Sequence, residues 1–172
     1  MNKILIGVGG VGVLAVLVFI GTKGSSSPSA VSATSQNPTS ESAAASAFSL
    51  EKVGGGTVAL ADYKGKKAVI LDFWATWCPN CQRDIPHQEA FYQKYKDNVE
   101  VIGVNLHEDP SLVAAFVAKY GVTYPVALDP QSQAAQAYNV QYTNYHILIN
   151  KNGDMVKTVP GDISEADFQS LL

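Results

Sequence analysis

Every side chain from Ile4 to Ile20 is Ile, Leu, Val, Ala, Phe or Gly, with no polar stripe for a core helix to turn outward. Seventeen helical residues extend roughly 25 Å, and Gly21 and Thr22 lengthen the run towards the ~30 Å hydrocarbon core of a bilayer. Residues 1–22 therefore read as a signal anchor or a signal peptide. Lys23 follows the run, and the nearest small-x-small cleavage pattern, Val31-Ser32-Ala33, lies well downstream, which favours an uncleaved transmembrane anchor. Lys3 before the run weakly favours an N-inside orientation. Residues 23–47 are dominated by Ser, Ala, Thr and Pro, with no aromatic residue and no apolar period, as expected of a disordered linker.

From Phe48 to Leu172 the pattern changes to alternating strand-like and helix-like runs. Ala68–Ala75 is almost continuously apolar and β-rich, as a central strand covered on both faces should be. A helix is expected from Pro79 to Lys96, and a second buried strand at Val99–Asn105. Asp109-Pro110 supplies a cap and first position for a helix to Tyr120, with Gly121 as its stop. A short strand at Val126–Leu128 and a short helix at Gln131–Tyr138 follow. His146–Asn150 and Met155–Val159 flank a hairpin signal at Lys151–Asp154. Ser164-x-x-Asp167 resembles a capping box opening a last helix to Leu172. Gly54-Gly55-Gly56 reads as a hairpin turn, since no strand-to-helix context for phosphate binding surrounds it. The order predicts an α/β sandwich around a mixed β-sheet, with helices on both faces.

Composition sharpens this division. The 172 residues carry net charge −3 and only 16% charged side chains, below the usual quarter. Only Lys3, Lys23 and Glu41 of these charges precede Phe48, so the deficit belongs to the first two segments. A mildly acidic chain offers no electrostatic footprint for nucleic acid.

Both of the chain's two cysteines lie in Trp77-Cys78-Pro79-Asn80-Cys81, between the central strand and a helix. Structural zinc needs four ligands, and no second pair exists. Haem attachment needs His after the second cysteine, and position 82 is Gln. A redox dithiol needs only an exposed attacking cysteine and a resolving one. At a helix N-terminus, unpaired N–H groups and the helix dipole favour a thiolate at Cys78, and Pro79 sacrifices no helical hydrogen bond. Cys81, one turn on, is placed to resolve the mixed disulfide. Asp72 is the one polar side chain in the central strand; burial raises a carboxyl pKa, which suits it to take or return the Cys81 proton. Asp84 shares the helix face of Cys81, either to serve the dithiol or simply to complement the helix dipole. His87, His107 and His146 read as surface or capping residues, His146 being the one near enough to tune Cys78. Trp77 reads as a shield over the dithiol and Trp74 as core; Tyr138, Tyr142 and Tyr145 read as core or rim packing. No metal site and no cofactor beyond the Cys78–Cys81 disulfide is expected.

Leu60-x-Asp62-Tyr63-x-Gly65-Lys66, Asp72-Phe73-Trp74-Ala75-Thr76-Trp77-Cys78-Pro79-Asn80-Cys81 and Asp84-Ile85-Pro86 resemble the TlpA/ResA-like proteins of thioredoxin fold. Val101–Asn105 and Tyr120–Val126 extend the match, which covers about residues 48–161. The resemblance implies a thioredoxin-like domain over 48–172 and a membrane-tethered, extracytoplasmic (periplasmic) thiol–disulfide oxidoreductase. It further implies a reductant of protein disulfides in cytochrome c maturation, recharged by a DsbD/CcdA-type membrane partner. It places Trp77, Pro79, Asn80, Thr143 and Asn144 at the substrate surface, and matches Asp84 to the family's active-site Glu. One departure stands out: the family pattern Thr-Pro-Thr, with a cis-proline facing the cysteines, is Thr143-Asn144-Tyr145 here. A cis bond before a non-proline residue costs about 3–4 kcal/mol, so a trans Thr143–Asn144 bond is expected. The altered loop opens an alternative, a redox-weak binding module that holds a metal or protein partner through the dithiol.

Overall fold

The computed structural model describes residues 43–172; the anchor at 1–22 and most of the linker at 23–47 lie outside the described residues. Among the described residues no helix is long and apolar enough to cross a membrane. A five-stranded mixed sheet forms the centre, in the order β5-β4-β3-β6-β7. Its middle strand is β3 (Ala68–Trp74), buried at all seven positions, as its continuous apolar run demands. β4 (Val99–Leu106) and β5 (Val126–Asp129) add in parallel on one side. β6 (Tyr145–Ile149) and β7 (Met155–Pro160) add antiparallel on the other, joined by the turn at residues 151–154.

The period-two alternation of β3 sorts its side chains between two cores. Ile70 and Trp74 join Val101, Val126 and Leu148 beneath α1 (Pro79–Tyr95), α2 (Pro110–Tyr120) and α4 (Glu165–Gln169). Val69, Leu71 and Phe73 join Ile102, Val104 and Ile147 on the opposite face. There the cover is α3 (Gln133–Ala137) and a hairpin of β1 (Ser49–Glu51) and β2 (Thr57–Ala59), turned by the three glycines. Helices thus pack on both faces of a mixed sheet, the thioredoxin-like sandwich implied by the sequence resemblance.

Local signals explain the element ends. Asp109 accepts from Ser111 N–H to cap α2, and Gly121 closes it at φ 66°, a left-handed geometry that glycine adopts without penalty. In β4, a Cβ on Gly103 would come within 3.0 Å of Trp74 Nε1 and 3.2 Å of the Tyr124 ring, so only glycine fits there unstrained. Ser164 and Asp167 form the capping box of α4, which ends at Gln169 rather than at Leu172. The folded chain begins ahead of Phe48, where composition places the boundary. Met155 N–H donates to Ala43 O (2.9 Å), Ala45 N–H to Gly153 O (2.9 Å), and Tyr138 Oη to Ser46 O (2.6 Å). Backbone bonds hold this segment, and a composition of small residues does not announce them.

Candidate active site

Cys78 is the N-cap of α1, and its Sγ accepts the backbone N–H of Cys81 at 3.1 Å. Pro79 occupies the first turn, and the two cysteines are joined as a disulfide with Cα atoms 5.3 Å apart. The bond that caps the helix is therefore also a donor aimed at the sulfur that would carry charge once the disulfide is reduced. Cys78 is less exposed than expected of an attacking thiol, at 4% against 1% for Cys81, because both pack into the core beneath α1. Trp77, by contrast, is 67% exposed, and Pro79 and Asn80 are exposed beside it. The loop before Cys78 is clamped by Glu108, whose carboxylate accepts Thr76 N–H (2.6 Å), Thr76 Oγ1 and Asn105 Nδ2 (2.7 Å). Gln82 Nε2 closes the loop by donating to Thr76 O at 2.7 Å.

Behind the dithiol lies a buried polar cluster. Asp72 shares the β3 face of Ile70 and Trp74, and its Oδ2 accepts Gln88 Nε2 at 2.9 Å. The same Gln88 amide donates to Tyr124 Oη at 2.9 Å. Burial raises the Asp72 carboxyl pKa, opposed by His146 and by the Gln88 hydrogen bond. Asp84 is 2% exposed, so the surface role of complementing the helix dipole does not describe it. Its Oδ2 accepts Ile163 N–H at 3.1 Å, and burial pushes its pKa up to about 6. His146 is neither a surface nor a capping residue: it is 1% exposed, with Nε2 3.3 Å from Asp72 Oδ1 and 3.5 Å from Asp84 Oδ2.

The altered loop adopts a conformation that proline cannot copy. Asn144 has φ 59° and is buried; its N–H donates to Phe73 O (2.8 Å), and its carbonyl accepts Gly161 N–H (2.9 Å). Its side chain donates to Asp162 Oδ1 at 3.0 Å. Asp162 takes a bidentate hold from Arg83 (2.7 and 3.0 Å), which keeps its pKa below the ordinary carboxylate value. Arg83 Nη1 in turn donates to Asn80 Oδ1 at 3.0 Å, so a continuous polar chain runs from the Cys-Pro-Asn-Cys turn to Asn144. Trp77, Tyr142 and Thr143 line an open groove alongside it, with Tyr142 stacked edge-on against Tyr145.

A protein-family model described as the AhpC/TSA family matches residues 42–158. The chain belongs to that family. Among its relatives, the thiol–disulfide oxidoreductase ResA of Halalkalibacterium halodurans is 39% identical over 126 residues, 73% of this chain and 71% of that protein. ResA of Bacillus subtilis is 38% identical over 137 residues, 77% and 76% of the two chains. A solved structure from Chlorobium tepidum, described as a DsbE-type thiol:disulfide interchange protein, superimposes with a TM-score of 0.67 at 32% identity. It covers 76% of this chain and 91% of its own. This AhpC/TSA-family protein is accordingly a thiol–disulfide oxidoreductase of the ResA/DsbE type, with the Cys78–Cys81 pair in place.

Within this family member, the structure gathers Cys78, Cys81, Asp72, Asp84 and His146 around one end of β3 and α1. Gln88, Tyr124 and Glu108 join the site without having been anticipated. Gln88 carried a legible signal: Cys81, Asp84, Ile85, Gln88 and Tyr92 form the buried stripe of α1, and Gln is out of place there. Glu108 lies 32 residues from Thr76, and no local pattern connects them.

Proposed function

We propose that the protein is a membrane-tethered, extracytoplasmic reductant of protein disulfides, acting on substrates of the kind required in cytochrome c maturation. The observation that carries the reading is the donor geometry at Cys78, a helix-capping sulfur met by the Cys81 N–H, in a chain 38–39% identical to proteins named ResA. The apolar Ile4–Ile20 run and the Ser/Ala-rich linker support a tether, with the dithiol outside the cytoplasm. A DsbD/CcdA-type membrane partner would return the two electrons.

In the reducing direction, the Cys78 thiolate attacks one sulfur of the substrate disulfide and displaces the other as a thiolate. Cys81 then gives its proton to a buried carboxylate, and its sulfur attacks Cys78 Sγ. The second substrate thiolate leaves, the Cys78–Cys81 disulfide re-forms, and two electrons have passed to the substrate. The closing attack requires Cys81, so Cys81→Ser should trap mixed disulfides on Cys78. The test is to express Cys81→Ser full-length chain in its native membrane and identify the adducts under non-reducing conditions. Adducts with apocytochrome c cysteines, abolished by adding Cys78→Ser, are expected; adducts confined to the cytoplasmic fraction, or none, would overturn the proposal.

A further inference from the structure

The reaction employs Asp72 and Asp84 but gives no reason for an imidazole buried between them. His146 stands directly opposite Asp72 in the antiparallel register of β3 and β6, with Asp84 reaching it from α1. Neither ring nitrogen makes an aligned hydrogen bond among the described residues, and Asp84 Oδ1 is likewise unpartnered. Two carboxylates and one imidazole thus meet at 3.3 and 3.5 Å, all at most 3% exposed. Among the described residues, the other groups facing them offer no second cation. α1 contributes the neutral Gln88 amide on Asp72, the segment before β5 contributes Tyr124 through Gln88, and the segment after β7 contributes Asp162, which already holds Arg83. His146 is thus the one member of the cluster able to carry positive charge.

We infer that His146 is a positioning residue that joins Asp72 and Asp84 into a single acid–base unit for the dithiol. When Cys81 attacks Cys78 Sγ, its proton enters this unit, and the imidazole keeps a carboxylate ionised and ready to receive it. The sulfur electrons go to the Cys78–Cys81 bond, the second substrate thiolate leaves, and the proton later exits to solvent. The imidazole opposes the effect of burial on both carboxyls, so without it they remain protonated to higher pH. The inference rests on thiol–disulfide exchange and is independent of tethering and of the direction of electron flow.

The test is the pH profile of mixed-disulfide resolution in single turnover, for wild type, His146→Gln, Asp84→Asn and the double variant. His146→Gln should move the low-pH limb upward by about one pH unit, slowing resolution roughly tenfold on that limb. In the Asp84→Asn background the same substitution should have a smaller effect, because part of what it acts through is gone. A His146→Gln profile superimposed on wild type, or lowered equally at every pH, would overturn the inference. Thermal unfolding of the oxidised variants verifies that they fold. Should His146→Gln fail to fold, carbon NMR of wild type decides: Asp84 and His146 must report shared inflections, and independent ones refute the coupling. If wild-type protein shows no exchange at all, the oxidoreductase reading falls separately, and the NMR titration still judges the cluster.

Discussion

Replacing Asn144 by proline, the residue the resembled family carries there, should destabilise this protein. Proline fixes φ near −65°, whereas Asn144 sits at 59°, so the ring cannot be accommodated without rebuilding the loop. Proline also deletes the N–H that meets Phe73 O at 2.8 Å, leaving a buried strand carbonyl unpaired. Together these place the loss at about 3 kcal/mol or more. Asn144→Gly isolates the side chain: it keeps the N–H and tolerates φ 59°, so only the bond to Asp162 is lost, about 1 kcal/mol. Asn144→Ala adds a left-handed Cβ penalty of roughly 1–2 kcal/mol. Urea unfolding of the oxidised proteins, followed by tryptophan fluorescence, measures the series. With a slope of about 2 kcal/mol per molar, proline should lower the midpoint by ~1.5 M and glycine by ~0.5 M. A proline variant as stable as wild type would refute the reasoning, because the left-handed backbone and its N–H would then be dispensable.

Asp84 binds its proton more tightly in the fold, at about 6 against an ordinary 3.8, so stability should fall as pH rises through that interval. Asp84→Asn, which cannot ionise, should flatten the decline; urea midpoints at the two ends of the interval check this, and an unchanged slope counts against it. Glu108→Ala should cost about 1–3 kcal/mol by freeing Thr76 and Asn105, and should slow insulin reduction by loosening the loop before Cys78. Wild-type values in both measurements would show the clamp to be immaterial.

Much of this architecture is written in local pattern. The apolar Ala68–Ala75 run, the Asp109-Pro110 start and Gly121 stop of α2, and the cysteine pair at the mouth of α1 all depend on neighbours within a few positions. What escaped depends on register and distance. His146 meets Asp72 only because β6 pairs with β3 in one particular alignment, and strand alternation alone does not select it. Arg83 and Asp162 are 79 residues apart, and the backbone bonds that recruit Ala43 and Ala45 leave no trace in side-chain chemistry. The strands β1 and β2 are three residues each, too short for a period to show, although the glycines between them were legible as a turn.

Ala43 and Ala45 attach beside the turn joining β6 and β7, at the end of the sheet where Val69 pairs with Ile149. The dithiol follows Trp74 at the other end of β3, roughly 20 Å of strand away. Ala43 therefore sits at the pole opposite the reactive sulfurs, and a bead or surface coupled at that end of the sheet would face away from the exposed Trp77. Tension along the chain would meet the hydrogen bonds of Ala43 and Ala45 first, peeling a short edge segment while the central strand that leads to the cysteines stayed unloaded.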